Sequence, residues 1–245
     1  MIHFEYVSRG LGDLGTYPPT VVIMLDEQKN YLPAAGHDWL LPLYDPMVRM
    51  LGGDTARRPL LDQATVQSGH CVLDIGCGTG TLALLIKRTH PDVDVVGLDP
   101  DPKALARAKR KAERSAVSIR FDQGFSHELP YSDGIFDRVL STFMFHHLMV
   151  DQKEKTLYEV RRVLTPGGSL HLLDFTATQA GGHGPLARYL HSSHRLKDNS
   201  EERILALMNK AGLVSCKKVM EGNMVFGLMR ITYFQGSAPV FNERQ

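Results

Sequence analysis

The chain has 245 residues, 28 Lys+Arg against 27 Asp+Glu, a formal charge of +1 and 43% hydrophobic residues. That length supports one α/β domain of common size with appended segments, without disulfide or metal staples. The balanced charge argues against a broad nucleic-acid footprint, which needs a clear excess of Lys and Arg.

The run Val21-Val22-Ile23-Met24-Leu25 is far shorter than the roughly 20 residues that span a bilayer, and Glu5 and Asp13 precede it. Neither a signal peptide nor membrane insertion is expected. Cys71, Cys77 and Cys216 cannot all pair and show no zinc spacing, so reduced thiols, a cytoplasmic setting and no metal are the expectation.

Residues 1–30 read as an irregular lead-in. Over residues 32–51, Leu40, Leu41, Leu43, Tyr44, Met47, Val48 and Leu51 keep helical spacing, while Pro42 and Pro46 break the span into two short helices. From Cys71 the grammar changes to buried strands alternating with helices. Strands are expected at 71–75, 93–98, 117–121, 136–142 and 169–175, and helices at 101–114, 151–164 and 201–211. Asp101 caps the first of these helices and Pro102 suits its first turn. Thr165-Pro166-Gly167-Gly168 ends the second.

Two further β-like runs, 214–220 and 224–234, are separated by Glu221-Gly222-Asn223, short enough only for an antiparallel hairpin. The fold class is therefore α/β: a doubly wound, Rossmann-like, mostly parallel seven-stranded sheet with a C-terminal antiparallel hairpin and N-terminal lid helices. The expected divisions are an arm with lid helices (1–66), the main domain (67–234) with a substrate-side insertion (180–199), and a tail (235–245).

The chemistry concentrates at Leu73-Asp74-Ile75-Gly76-Cys77-Gly78-Thr79-Gly80-Thr81, a strand-to-helix turn where open α/β sheets bind ligands. The dinucleotide fingerprint needs a glycine where Thr81 stands, so a nicotinamide enzyme is disfavoured. With Gly97-Leu98-Asp99 at the next strand end, this turn resembles that of class I S-adenosylmethionine-dependent methyltransferases. The segments Glu128 to Asp137, Phe145-His146-His147-Leu148 and Arg162 to Gly168 are similar to later stretches of that family, in order and spacing over about 71–175. The ending resembles a small-molecule subgroup, distantly like the ubiquinone/menaquinone-biosynthesis methyltransferases. The glycine turn and the Asp99 region lack their particular signature, so no quinone substrate is assigned from the sequence.

The resemblance implies S-adenosylmethionine as cofactor and methyl transfer to a small-molecule acceptor by in-line displacement. Asp74, Gly76, Cys77, Gly78 and Gly80 would hold its methionine end, with Cys77 a small filler. The helix N-terminus after Gly80 would favour the carboxylate. Asp99 would accept from the ribose hydroxyls. Pro100, Gly124, Phe125, Ser126 and Ser141 complete the expected cofactor contacts, with Phe125 standing where the family often has an acid.

His146 and His147, after the fourth strand, are the candidate general bases, since imidazole titrates near neutrality. Asp174 ends the fifth strand and could touch substrate or cap a turn. Tyr31, Trp39, Tyr44, Phe143, His183, His191 and His194 are candidate substrate-lining residues. Two other readings stand beside this one: a protein or RNA methyltransferase using the basic row Lys103, Arg107, Lys111 and Arg114, and a non-catalytic cofactor-binding sensor or scaffold. The oligomeric state is left open, although Met220, Met224 and Met229 could contact a second subunit.

Overall fold

The computed structural model describes residues 51–176, 198–225 and 227–240. Its first element, α1 (Gly53–Ala64), is a helix that the sequence pattern did not lead one to expect. The chain then alternates through β1 (Cys71–Ile75), α2 (Thr81–Thr89), β2 (Asp94–Asp99), α3 (Pro102–Arg114), β3 (Arg120–Gln123) and β4 (Phe136–Thr142). A 3-10 turn (Phe145–His147), α4 (Val150–Val163), β5 (Leu164–Phe175), α5 (Glu201–Lys210), β6 (Val214–Met224) and β7 (Met229–Ser237) complete it.

The seven strands lie in the order β3-β2-β1-β4-β5-β7-β6. β1 through β5 pair in parallel, whereas β7 runs antiparallel to both β5 and β6. Alternation within buried strands sends side chains to two cores. Val72 packs with Leu60, Leu82, Ile86, Leu105 and Ala108 from α1, α2 and α3. Leu73 and Ile75 pack with Leu157, Val160, Ile204 and Met208 from α4 and α5. This is the two-faced burial that parallel sheets require.

Asp101 does cap α3, accepting from the Lys103 amide at 2.8 Å. The expected strand at 117–121 begins three residues later. Ala116, at φ 50°, and the Val117 amide bonded to Ala112 O still wrap the end of α3. The hairpin turn also lies beyond its expected place. Gly222 and Asn223 are strand residues paired with Ile231 and Arg230. The reversal instead comes after Met224, whose carbonyl accepts from Gly227 at φ 87°. Met224 and Met229 are buried core residues, and Met220 is exposed.

β5 starts earlier than expected because Leu164 bridges to Phe136. The Pro-Gly-Gly stretch forms an irregularity before Ser169 meets Arg138. The approach to β4 is clamped from α4. Arg162 donates to the Leu129 and Tyr131 carbonyls, and Glu159 accepts from the Leu129 amide at 2.7 Å. At the far edge β6 carries two register shifts, and Lys218, Glu221, Arg230 and Glu201 form a chain of ion pairs.

Helix α1 is fastened to the sheet in three places. Tyr233 donates to Ala56 O at 2.8 Å, Gln63 donates to Phe234 O at 3.0 Å, and Arg138 donates to Ala64 O at 2.7 Å. Leu60 and Ala64 are fully buried. The start of α1 thereby lies toward the carboxyl ends of the strands, where ligands bind in such sheets. The lid helices expected over 32–50 fall outside the described residues. No described helix is long and apolar enough to cross a membrane.

Leu60→Ala should cost about 2–5 kcal/mol through lost burial and the cavity left behind. Urea unfolding would show this as a lower midpoint with an unchanged slope, whereas a near-neutral result would mean that α1 is peripheral.

Candidate active site

The carboxyl ends of β1, β2, β4 and β5 bring the acids, the glycine turn and the histidines to one edge of the sheet. At its centre Asp74 is fully buried. Its Oδ2 accepts from the Ala83 amide in the first turn of α2 at 3.1 Å. Its Oδ1 has no hydrogen-bond partner. Burial pushes this carboxyl up to about 7, while the Arg57 guanidinium and the Ala83 amide pull it down and Asp99 adds repulsion. A buried carboxylate oxygen with nothing bonded to it is costly, and it marks a place prepared for a donor or cation.

The turn after Asp74 is built for close approach. Gly76 and Cys77 donate to Leu98 O at 2.8 and 3.0 Å, pinning the turn to β2. Gly78 sits at φ 52°, and a Cβ there would meet no atom within 4 Å. Its backbone therefore faces open space, as a cradle for a bound group requires. At Gly80 the glycine serves packing, because a Cβ would lie 2.8 Å from that of Ala108 on α3. Cys77 is buried with its sulfur against Gly97. Burial raises its thiol well above the usual range, which suits a filler and not a nucleophile.

Asp99 accepts from the Gly78 amide at 2.8 Å and the Asp101 amide at 2.9 Å. One carboxylate oxygen thus serves each strand-end loop and keeps a second lone pair for a hydroxyl. Burial pushes it up to about 6, against those two amides. Gly124 donates to Asp99 O, bringing β3's end beside Pro100. Phe125 is half-buried and stacks on His127 with ring centroids 5.4 Å apart.

Two expected contacts are committed elsewhere. The Ser126 hydroxyl bonds Thr156 of α4 at 2.9 Å, and the Ser141 hydroxyl donates to Ile75 O at 3.0 Å. The first ties the loop after β3 to α4, and the second, which uses the Ser141 hydroxyl proton, ties β4 to β1. The start of α2 is also partly engaged, by Asp74 at Ala83 and by Lys111, whose ammonium reaches Thr81 at 2.8 Å and Thr79 at 3.3 Å. Lys111 therefore folds onto the glycine turn, so the basic row on α3 is not a uniformly solvated stripe.

One residue has no counterpart among the sequence candidates. Arg57 of α1 is buried, with its guanidinium 5.7 Å from the Phe143 ring centroid. It bonds Asp54 at 3.3 Å, and its Nε is buried without a partner. A basic residue on an amphipathic helix reads as solvated, and only the docking of α1 reveals that this one is turned inward. Phe143 itself takes φ 56° and packs on Phe175 at 5.0 Å. Of the other candidate substrate residues, Tyr31, Trp39, Tyr44, His183, His191 and His194 lie outside the described residues.

His146 and His147 stand in the turn after β4, their rings 4.0 Å apart. His146 is the one tied to the sheet. Its Nδ1 is 2.5 Å from Asp174 Oδ1, and its amide donates to Asp174 Oδ2 at 2.8 Å. Asp174, fully buried, also accepts from the Phe175 amide. With a carboxylate against Nδ1, a neutral imidazole carries its proton there and offers Nε2 as an acceptor. No group of three or more metal-ligating side chains occurs among the described residues.

The donor set fits S-adenosylmethionine. The unpartnered Asp74 oxygen suits its ammonium, the buried Arg57 its carboxylate, the open Gly78 backbone a close-lying chain, and Asp99 the ribose diol. Without a ligand, the folded Asp74 carboxyl sits above its ordinary value of 3.8, so the folded chain holds this proton more tightly than the unfolded one. Stability present in acid is then lost as pH rises from about 4 through about 7. Ligand-free Asp74→Asn, which keeps an acceptor for Ala83, should therefore melt higher than the unsubstituted chain at pH 8, by about 2–4 °C per kcal/mol relieved. The gap should close by about pH 4, and thermal denaturation at the two pH values reads it.

The methyltransferase domain family matches residues 72–168. A demethylmenaquinone methyltransferase of Thermus thermophilus is 40% identical over 152 residues, 61% of this chain and 68% of that protein. Its counterpart in Deinococcus radiodurans is 39% identical over 61% of this chain and 62% of its own length. Haemonchus contortus phosphoethanolamine N-methyltransferase 2, solved with S-adenosyl-L-methionine, superposes with a TM-score of 0.70 at 17% identity, covering 83% of this chain and 58% of that one. With the glycine turn, the two strand-end acids and this likeness together, the chain belongs to the class I S-adenosylmethionine-dependent methyltransferases.

Proposed function

We propose that this methyltransferase acts on a small, partly apolar acceptor of the demethylmenaquinone kind that its Thermus and Deinococcus relatives are named for, taken in its reduced, hydroxyl-bearing form, with methylation at ring carbon. The observation that carries the reading is the His146–Asp174 pair, a preorganised proton acceptor at the cofactor edge of the sheet. Bound S-adenosylmethionine supplies an electrophilic methyl on a cationic sulfur, whose bond to that methyl breaks as the acceptor's new bond forms.

His146 Nε2 accepts the acceptor's hydroxyl proton, which places the oxygen's electrons in the ring and makes the adjacent carbon nucleophilic. Asp174 stabilises the imidazolium that results and keeps the ring oriented. After the carbon–carbon bond forms, loss of that carbon's proton to solvent restores the aromatic ring as its oxyanion, and His146 returns its proton to the oxygen. Phe143 and Phe175 supply an apolar wall beside the pair, and Asp74, Arg57 and Asp99 position the donor so that little reorganisation is needed at transfer. The three free thiols suit a reducing compartment, and we place the chain in the cytoplasm.

The testing experiment tracks labelled methyl from S-adenosylmethionine into a prenylated naphthohydroquinone and into a fractionated cell extract. Label in the small-molecule fraction is expected, and label in precipitated protein or RNA overturns the reading. His146→Ala should lower kcat by about 10²–10⁴-fold with cofactor affinity unchanged by calorimetry. An unchanged kcat would remove His146 from the chemistry.

Cofactor affinity itself should rise from about pH 5 to about pH 8, because Asp74 and Asp99 must ionise to receive the ammonium and the diol. Asp74→Asn should weaken binding at pH 8 and flatten this dependence. Arg57→Met should weaken it at every pH, which calorimetry across the range would test.

A further inference from the structure

Helix α3 holds six basic residues against one acid, Glu113, in a chain that is otherwise balanced at 28 against 27. The rest of the molecule is left with 22 basic and 26 acidic side chains, so positive charge is concentrated on this one element. Its buried side is Ala104, Leu105, Ala108 and Ala112. At 3.6 residues per turn, Lys103, Arg107, Arg110 and Arg114 fall in one line on the opposite side, over about 16 Å of helix. Lys103, Arg110 and Arg114 are exposed, and Arg107 is half-buried. Lys109, also exposed, flanks the line, while Lys111 turns away from it to Thr79 and Thr81.

The helix itself does not need this row. Like charges three and four residues apart repel and weaken a helix, and the four buried apolar positions already fasten α3 to the sheet. Arg120 of the neighbouring β3 is paired with Asp122 at 2.9 Å. Arg110 and Arg114 have no carboxylate partner among the described residues. A one-sided concentration of unmatched charge on a nearly neutral protein is an electrostatic footprint for a polyanion.

Two observations choose the polyanion. The face holds no aromatic side chain on which bases could stack, as single-stranded nucleic acid binding uses. The acceptor proposed above carries an apolar chain, and such a molecule partitions into a bilayer. We propose that the exposed face of α3 docks this protein on the anionic headgroups of a membrane surface, as a peripheral contact without insertion, where its acceptor resides. A row of four or more Lys and Arg on an amphipathic helix suits that surface. The row begins at Lys103, four residues after Asp99, so a bilayer against it has the cofactor edge of the sheet at its margin. The choice of a membrane rests on the acceptor reading, whereas the docking is measured without any acceptor.

The full chain is sedimented with vesicles of equal parts phosphatidylcholine and phosphatidylglycerol, and with vesicles of phosphatidylcholine alone. Binding to the anionic vesicles that weakens as salt screens it is expected, and equal binding to the neutral ones overturns the proposal. Arg110→Gln/Arg114→Gln should weaken anionic-vesicle binding about 30-fold, from roughly five-fold per basic residue at such a surface. Arg110→Lys/Arg114→Lys should retain it, and Arg114→Gln alone, with the smaller loss, serves if the pair does not fold. Lys155→Gln/Lys217→Gln removes the same charge from exposed positions on α4 and β6 and should leave binding in place.

An equal loss in both Gln pairs would make net charge the cause and overturn the assignment to this face. If mixed-sequence RNA displaces the chain from the vesicles at equal phosphate concentration, the face belongs to nucleic acid and the proposal falls. With a prenylated naphthohydroquinone held in the anionic vesicles, Arg110→Gln/Arg114→Gln should raise KM and keep kcat. If no form of the protein methylates that acceptor, the acceptor reading falls, while the sedimentation still decides the docking.

Discussion

The site depends on one buried carboxylate that the fold leaves half satisfied. Asp74, next to last in β1, closes the first turn of α2 through the Ala83 amide and leaves its other, buried oxygen without a hydrogen-bond partner. The glycine turn beyond it is pinned to β2 by two hydrogen bonds to Leu98 O, so the acid cannot swing out to solvent. The geometry thus leaves an electrostatic demand that protonation relieves in the free protein and that a positively charged or donating ligand can meet. Asp99 repeats the device on β2 in milder form, with both oxygens already bonded to backbone amides. Two acids of one sign at one edge, with Arg57 turned inward beside them, make a setting suited to a ligand that is cationic at one end and anionic at the next.

The same edge separates two electrostatic regimes. Around Asp74 burial favours the neutral carboxyl until a ligand arrives, so binding and ionisation are coupled. Around Asp174 the carboxylate is matched within the protein by backbone amides and by His146. One acid waits for its partner and the other already has it. That division suits a protein in which the first group holds a cofactor and the second keeps an imidazole in one tautomer.

Most of the architecture was legible because the relevant signals are local. The run Cys71 to Ile75 leading into three glycines, the Asp101-Pro102 helix start and the Pro-Gly-Gly stop each act within a few residues, and the resemblance to a known family fixed the cofactor. The errors occurred where distant packing decides. Pro59 and two adjacent arginines hid α1, whose helicity is stabilised by Leu60 and Ala64 docking on the sheet. Gly222 looked like a turn residue but is a strand residue with Ile231 packed over it. The hydroxyls of Ser126 and Ser141 meet Thr156 and Ile75 O, partners that no local pattern announces. His146 was visible in the sequence, but its pairing with Asp174 joins residues 28 positions apart, and the inward turn of Arg57 has no signature in the chain at all.

The two margins of the sheet bear on how copies of this protein meet. β3 is only four residues long. β6, at the opposite margin, is long but is interrupted by two register shifts, and its Glu221 forms ion pairs with Lys218 of the same strand and with Arg230 of β7. Short, irregular and charged outer strands present a poor template for a further strand, because hydrogen-bonding groups must line up over several residues before pairing is favourable. Among the described residues the sheet therefore disfavours growth by strand addition at either margin, which keeps the ladder of strands closed to further pairing.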